Sequence, residues 1–501
     1  MHRALGFAAA LMLSAGGALA AAVPTPEARE IPRTASSYPF LAADHQWVPF
    51  DLKAAGYEEV ETLVSGKANV FDWGADGRPE IKANGAYATR ILVRRPADKS
   101  KFSGVVLVEP LLDARSSDWA MMWGYMHDKL VRDGDVWIGV TLPKSIGALK
   151  KFDAARYAEL SFTPPAPLGC KTGEAGDLLE EGLRYEMLAQ VGALLKSEAP
   201  GNPLAGYKTG RSLFMSAQAL DPVTYARAFQ TLLRLPGDKA VYDGFLFKTQ
   251  NGAMARLSHC GQPVPATDPR AALKDIGVPA IAVISPGEVL GSLASRRPDS
   301  DGKADPYRRI EVPGGNHLDH FAYAAGFPSA VDQLKAGVAQ GNLEWPFNTQ
   351  CTPSIQLGRN PLMKYVYDAA LEQLAAWSRT GAAPPRAPWI SVKPNAAGVQ
   401  TVELDAKGMA VGGLRTVYSD LPVAIETIGT AGPGNCREIG STVAFSWPYL
   451  TGLYGTPKAW AAKARPMVDA MEKGRWLTPG DAALLRAEID APGRPPAFPA
   501  N

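Results

Sequence analysis

Three side chains of this sequence have the types, and the order along the chain, that nucleophilic acyl transfer needs. The run Ser212-Leu213-Phe214-Met215 reads as a strand that stops at Ser216, and Ala217-Gln218-Ala219-Leu220 then leads into a helix-compatible stretch. A sharp strand-to-helix turn lifts a serine hydroxyl above a sheet edge and aims the next backbone N–H at the oxygen that gains charge. Ser216 is therefore the candidate nucleophile, and the N–H of Ala217 a candidate oxyanion donor. The acid and the base must follow in that order, each in a loop after a strand. Glu288 lies in Ser285-Pro286-Gly287-Glu288 beyond the apolar run Pro279 to Ile284, and His317 ends Pro313-Gly314-Gly315-Asn316-His317 beyond Arg309 to Val312. In that arrangement Ser216 attacks an ester carbonyl, His317 takes its proton, and Glu288 orients the imidazole and stabilises the imidazolium. A second oxyanion donor is expected from the loop after the Val105 to Val108 strand, with Leu111 as the candidate. Such chemistry needs no metal and no organic cofactor.

Each of these residues has a plainer role open to it. A serine at a strand end commonly caps the next helix, and a loop histidine can simply satisfy backbone groups. Of the six histidines, His2 lies in the leader, His45 and His127 precede the serine, and His259 adjoins Cys260. That leaves His317 as the best-placed base, with His320 in reserve. Glu109, Asp118 and Asp243 show no metal-ligand spacing and read as structural hydrogen-bond acceptors.

The elements that must hold these residues alternate between short apolar runs and helix-like stretches from Tyr38 to about Lys335. Strand candidates are Ala88 to Val93, Gly104 to Val108, Val136 to Val140, Ser212 to Met215, Gly244 to Phe247 and Pro279 to Ile284. Near-continuous apolar character in several of them fits strands covered on both faces, the setting of a mostly parallel sheet. Helices are expected over Trp119 to Arg132, Leu178 to Lys196 and Pro222 to Leu235. Beyond Gly341, Met363, Val366, Ala370, Leu371, Leu374 and Trp377 recur at helical spacing and stop at Gly381. A further helical region runs from Lys458 to about Ile489. The chain thus divides into a leader over 1–22, an α/β core over 23–340 and an extension over 341–501 that lies on the core.

With 501 residues, 46% of them hydrophobic and 20% charged, the chain is a folded protein and neither disordered nor a membrane bundle. Its 52 basic residues against 50 acidic ones leave no electrostatic footprint for nucleic acid or an anionic membrane. Arg3, the apolar run Ala4 to Leu13 and the small residues Ala18 to Ala22 read as a secretory signal, too short to span a bilayer. Export to the periplasm or medium makes disulfides the expected state of Cys170, Cys260, Cys351 and Cys436, with three connectivities open.

Landmarks spread along most of the mature chain resemble the long, exported bacterial alpha/beta hydrolase domain-containing family. They include Val106-Leu107-Val108-Glu109, Asp118-Trp119, Asp153-Ala154-Ala155-Arg156-Tyr157, Tyr242-Asp243-Gly244-Phe245-Leu246 and Arg297-Pro298-Asp299-Ser300. Glu311 to His317, Gly412-Gly413-Leu414-Arg415-Thr416 and Gly440-Ser441-Thr442 continue the series. The resemblance implies an alpha/beta-hydrolase fold, a mostly parallel sheet with helices on both faces, followed by a C-terminal extension. It also implies an exported serine hydrolase acting on a small-molecule or polymer ester. The family's elbow looks like G-x-S-Q-S-A or G-x-S-Q-S-G with an aromatic residue nine positions after the serine. With Ser216 as nucleophile, Ala219 and Tyr225 fall in register, whereas Phe214, Ala217 and Gln218 depart from the pattern. A one-residue shift aligns Gln218 with the family glutamine and puts Ala217 on the nucleophile, which implies a dead enzyme. The Ser216 frame is preferred because the shifted one loses the aromatic match. Glu288 stands where the family usually has aspartate.

Two other classes compete with an esterase. A non-catalytic binding protein on a hydrolase scaffold explains the eroded elbow, while a carbohydrate hydrolase needs a carboxylate pair that the sequence does not supply. Trp123, Phe247, Trp345, Trp447 and Tyr449 could line an acyl pocket, with core packing as their default role.

Overall fold

The computed structural model describes residues 22–113, 116–165, 170, 179–217, 222–250, 252–340, 343, 345–347, 349–352, 354–358, 361–433 and 436–491. All but the last residue of the expected leader lies outside the described residues, as do Gln218 and Ala219 of the elbow.

Among the described residues a nine-stranded sheet organises the fold: β1 (Glu27–Glu30), β2 (Tyr57–Trp73), β3 (Pro79–Pro96), β4 (Val105–Pro110), β5 (Val136–Val140), β6 (Arg211–Ser216), β7 (Gly244–Lys248), β8 (Ala280–Ile284) and β9 (Tyr307–Glu311). Their order across the sheet is β1-β2-β3-β5-β4-β6-β7-β8-β9. From β5 to β9 all neighbours are parallel, while β1, β2 and β3 form an antiparallel flank joined to β5. Every residue of β4, β5, β7, β8 and β9 is buried; β4, β5, β7 and β8 are accordingly written as short, nearly unbroken apolar runs, whereas β9 buries Arg309 paired with Glu311. The sequence expectation missed β2. It mixes polar with apolar residues, Glu61 and Thr62 being buried beside Leu63 and Val64, so it carries no continuous apolar run.

Helix Met121–Asp133 falls within two residues of the expected span, Leu183–Leu195 starts five residues later than expected, and Pro222–Arg227 begins where expected. The expected Lys458 to Ile489 region is two helices, Pro457–Lys473 and Pro479–Asp490, each started by a threonine cap and a proline in its first turn. Helix Leu362–Thr380 ends at Gly381, whose left-handed φ of +76° stops it. Although it belongs to the extension, this helix packs on β6, β7 and β8 and so completes the cover of the sheet under the candidate site. Beyond it lie two hairpins, β10 (Val392–Pro394) with β11 (Gln400–Val402) and β12 (Ala424–Thr427) with β13 (Ser441–Ala444). The cysteines pair as Cys170–Cys260 and Cys351–Cys436, with Cα separations of 5.7 and 5.5 Å. Among the described residues no helix is long and apolar enough to cross a membrane.

Leu374 is fully buried, and a Cβ built on Gly244 of β7 would stand 3.0 Å from its side chain, so helix and sheet meet closely here. Leu374→Ala is expected to destabilise the fold by about 2–5 kcal/mol in denaturant titration, through lost burial and a cavity.

Candidate active site

The loops after β8 and β9 bring Glu288 and His317 together. Glu288 sits in the short helix Pro286–Val289, where its Oε2 accepts the backbone N–H of Ser285 at 2.8 Å and fixes the carboxylate. His317 follows a tight turn in which Gly314 adopts a left-handed φ of +76° and Gly315 N–H donates to Val312 O at 3.2 Å. Its Nδ1–H donates to Glu288 Oε1 at 2.7 Å, the bond that selects the tautomer with a free lone pair on Nε2. The Glu288 side chain is 3% exposed and that of His317 18%, so the acid is enclosed while the base reaches toward the surface.

Lys248, the last residue of β7, joins this pair and was missed by the sequence reading. Its fully buried ammonium donates to the same Glu288 Oε1 at 2.7 Å and lies 3.3 Å from His317 Nδ1. The signal was a lysine closing an apolar run at the carboxyl edge of a parallel sheet, the edge where α/β proteins bind ligands. Burial pushes the Glu288 carboxyl up, but Lys248 and His317 outweigh it and hold the group at about 2, against an ordinary 4.5. Beside it, burial raises Asp319 to about 7 while its Oδ1 accepts the N–H groups of Phe321 and Ala322 at the start of helix His320–Gly326. The reserve base His320 opens that helix, with its backbone N–H bonded to Gly358 O at 2.9 Å.

Ser216 ends β6 and is fully buried. Its strand partner is Phe247, and Phe214 pairs with Phe245, so alternation puts the Ser216 side chain on the face of the sheet that holds these rings. Phe214, in the place of the family glycine, fills that face against Phe229 and Tyr242 at 5.0 Å and Tyr225 at 5.2 Å between ring centroids. Met215 pairs with Leu246, so Ala217 and Lys248, each two residues on, follow the opposite face. The strained left-handed backbone typical of a nucleophile turn is present at neither Ser216 nor Ala217. Among the described residues, the side-chain hydrogen-bond partners of the imidazole are Glu288 and Lys248, and Ser216 is not one of them.

The structure corrects one expected donor. The N–H of Leu111 is bonded to Val140 O at 2.9 Å because the β4–β5 ladder continues one residue past β4, so this amide cannot hold an oxyanion. The structural carboxylates are engaged: Glu109 by the N–H groups of Met122, Trp123 and the Trp137 indole, Asp118 by Arg90 and Thr141, and Asp243 by Ser212 N–H and Lys196. Trp123 and Phe247 are core residues, whereas Trp447 and Tyr449 are exposed.

A mostly parallel sheet with an acid after its penultimate strand and a histidine after its last defines an alpha/beta hydrolase. The chain belongs to that family, since the model of the Alpha/beta hydrolase domain matches residues 23–487. Among solved structures, the esterase domain of a Rhodothermus marinus protein overlays with a TM-score of 0.23 at 12% identity, over 56% of this chain and 98% of that one. The glucuronoyl esterase of Solibacter usitatus gives 0.29 at 10% identity, over 64% and 86%. Overlays this loose do not bear on activity. The chain matches none of the curated proteins with which it was compared.

Because Glu288 is held below its ordinary value when folded, its contribution to stability is present above about pH 4.5 and is lost as pH falls toward 2. The stability difference between the native protein and Glu288→Gln, measured by urea titration, is therefore expected to shrink steadily as pH falls from about 4.5 toward 2.

Proposed function

We propose that this alpha/beta hydrolase is an exported carboxylic-ester hydrolase in which Ser216 is the nucleophile, His317 the general base and Glu288 the orienting acid. The observation that carries the reading is the bond from His317 Nδ1 to Glu288 Oε1 at 2.7 Å, made by loops that follow the last two strands of the sheet. A charged carboxylate on Nδ1 leaves Nε2 free to take a proton and stabilises the imidazolium that results. Attack by Ser216 requires the exit of β6 to turn, so that its hydroxyl leaves the Phe247 face and meets Nε2. The proton passes from the hydroxyl to Nε2, an acyl-enzyme forms as the alcohol departs with that proton, and water repeats the sequence to release the acid. The Ala217 N–H is the proposed oxyanion donor. Two disulfides and a near-neutral charge balance suit the periplasm or the medium and an uncharged ester substrate.

The burial of Ser216, and its place on the ring-filled face, favour a second reading. In that reading Ala217 takes the nucleophile's position, and the protein binds a ligand over a His317–Glu288 pair that no longer performs chemistry.

A p-nitrophenyl ester panel with short and long acyl chains separates the two. The first reading expects turnover by the native protein and a loss on the order of 10⁴-fold or more in both Ser216→Ala and His317→Ala, with folding retained. Inertness of the native protein across the panel supports the binding reading, and activity that survives Ser216→Ala removes this serine from the mechanism.

A further inference from the structure

The residue before the candidate base is held from outside the α/β core. Asn316 is 6% exposed, and its Nδ2 donates to Glu426 Oε2 at 2.9 Å and to Thr442 Oγ1 at 3.3 Å. Glu426 and Thr442 are paired residues of β12 and β13, and the threonine hydroxyl donates to the same carboxylate oxygen. Two glycines let the strands come this close. A Cβ on Gly440 would lie 2.7 Å from Asn316 Oδ1, and one on Gly358 would lie 2.5 Å from Thr442 Oγ1. The same region reaches the acid. Helix Cys436–Ile439, just before β13 and tied to Cys351 by a disulfide, packs against the helix Pro286–Val289 that carries Glu288.

We propose that Glu426 is a positioning residue for His317: by fixing Asn316, it sets the peptide from which the imidazole reaches Glu288, and makes the C-terminal extension a working part of the site. The consequence for ester turnover rests on the reading given above, whereas the consequence for the imidazole does not. The Asn316 amide donates to both members of the Glu426–Thr442 pair, and the threonine hydroxyl bonds the carboxylate oxygen that Asn316 uses. Removing Glu426 leaves the amide without its charged acceptor, which frees the loop one residue from the base. Errors of about 1 Å at such a position cost turnover while leaving substrate binding in place.

The test is made on the full-length oxidised protein, labelled with ¹⁵N-histidine. An Nδ1–H bonded to a carboxylate gives a low-field proton resonance, assigned to His317 by its loss in His317→Ala. Glu426→Ala is expected to abolish or broaden that resonance, Thr442→Val to weaken it, and Glu426→Gln to keep it, because an amide oxygen still accepts from Asn316. On a p-nitrophenyl ester, Glu426→Ala is expected to lower kcat by about 10- to 100-fold with KM little changed. Should Glu426→Ala fail to fold, the isosteric Thr442→Val decides alone. An unaltered resonance in folded Glu426→Ala, or in Thr442→Val where that variant decides, overturns the proposal, as does a native spectrum that lacks the signal. A resonance that responds as expected in a protein without ester turnover upholds the positioning role and ends the esterase reading instead.

Discussion

A single charged hydrogen bond, from the imidazole of His317 to the enclosed carboxylate of Glu288, is the constraint around which this end of the molecule is arranged. Burying a carboxylate is costly unless cations and donors surround it, and here three arrive from different elements. The end of β7 supplies the Lys248 ammonium, the loop after β9 supplies the imidazole, and the turn after β8 supplies the Ser285 N–H. The charge is thus shared between two partners on one oxygen, with the other oxygen pinned to the backbone. That arrangement ties the ends of three adjacent parallel strands together.

The extension works on the same site from above. Glu311, the last residue of β9, accepts the N–H of Ile390 at its side chain and that of Leu414 at its carbonyl, and so anchors the stem of the histidine loop. Farther out, the β12–β13 hairpin holds Asn316. The face that carries the candidate site is consequently built from both parts of the chain. The alpha/beta fold supplies the strand ends, and C-terminal residues bond to the strand and loop that carry His317.

How much of this the sequence disclosed follows from what each feature writes into it. Strands buried on both faces appear as apolar runs, so β4 to β8 could be read within a residue or two, while β2, which mixes polar with apolar residues, could not. Glu288 and His317 could be singled out because the order of elements in this fold puts an acid and a histidine after the last two strands, and the structure bonds the two side chains to each other. Lys248 was hidden at the end of an apolar strand, and Leu111 was assigned to a role that its ladder bond excludes, since no sequence pattern says where a ladder stops. Cysteine pairing was equally invisible, because spacing allows three connectivities and only the approach of distant loops selects one. At the elbow, Phe214 departs from the pattern that the sequence resembles. The structure seats it among Tyr225, Phe229 and Tyr242 and moves the question to the direction of the Ser216 side chain.

That direction is what an irreversible serine-directed phosphonate reports most directly. After reaction of the folded, oxidised protein, mass spectrometry of the peptide spanning Ser212 to Arg227 reads the site of the adduct. An adduct on Ser216 that disappears in His317→Ala is the result predicted for a serine made nucleophilic by this pair. A folded protein that stays unlabelled, or is labelled at a serine other than Ser216, contradicts it.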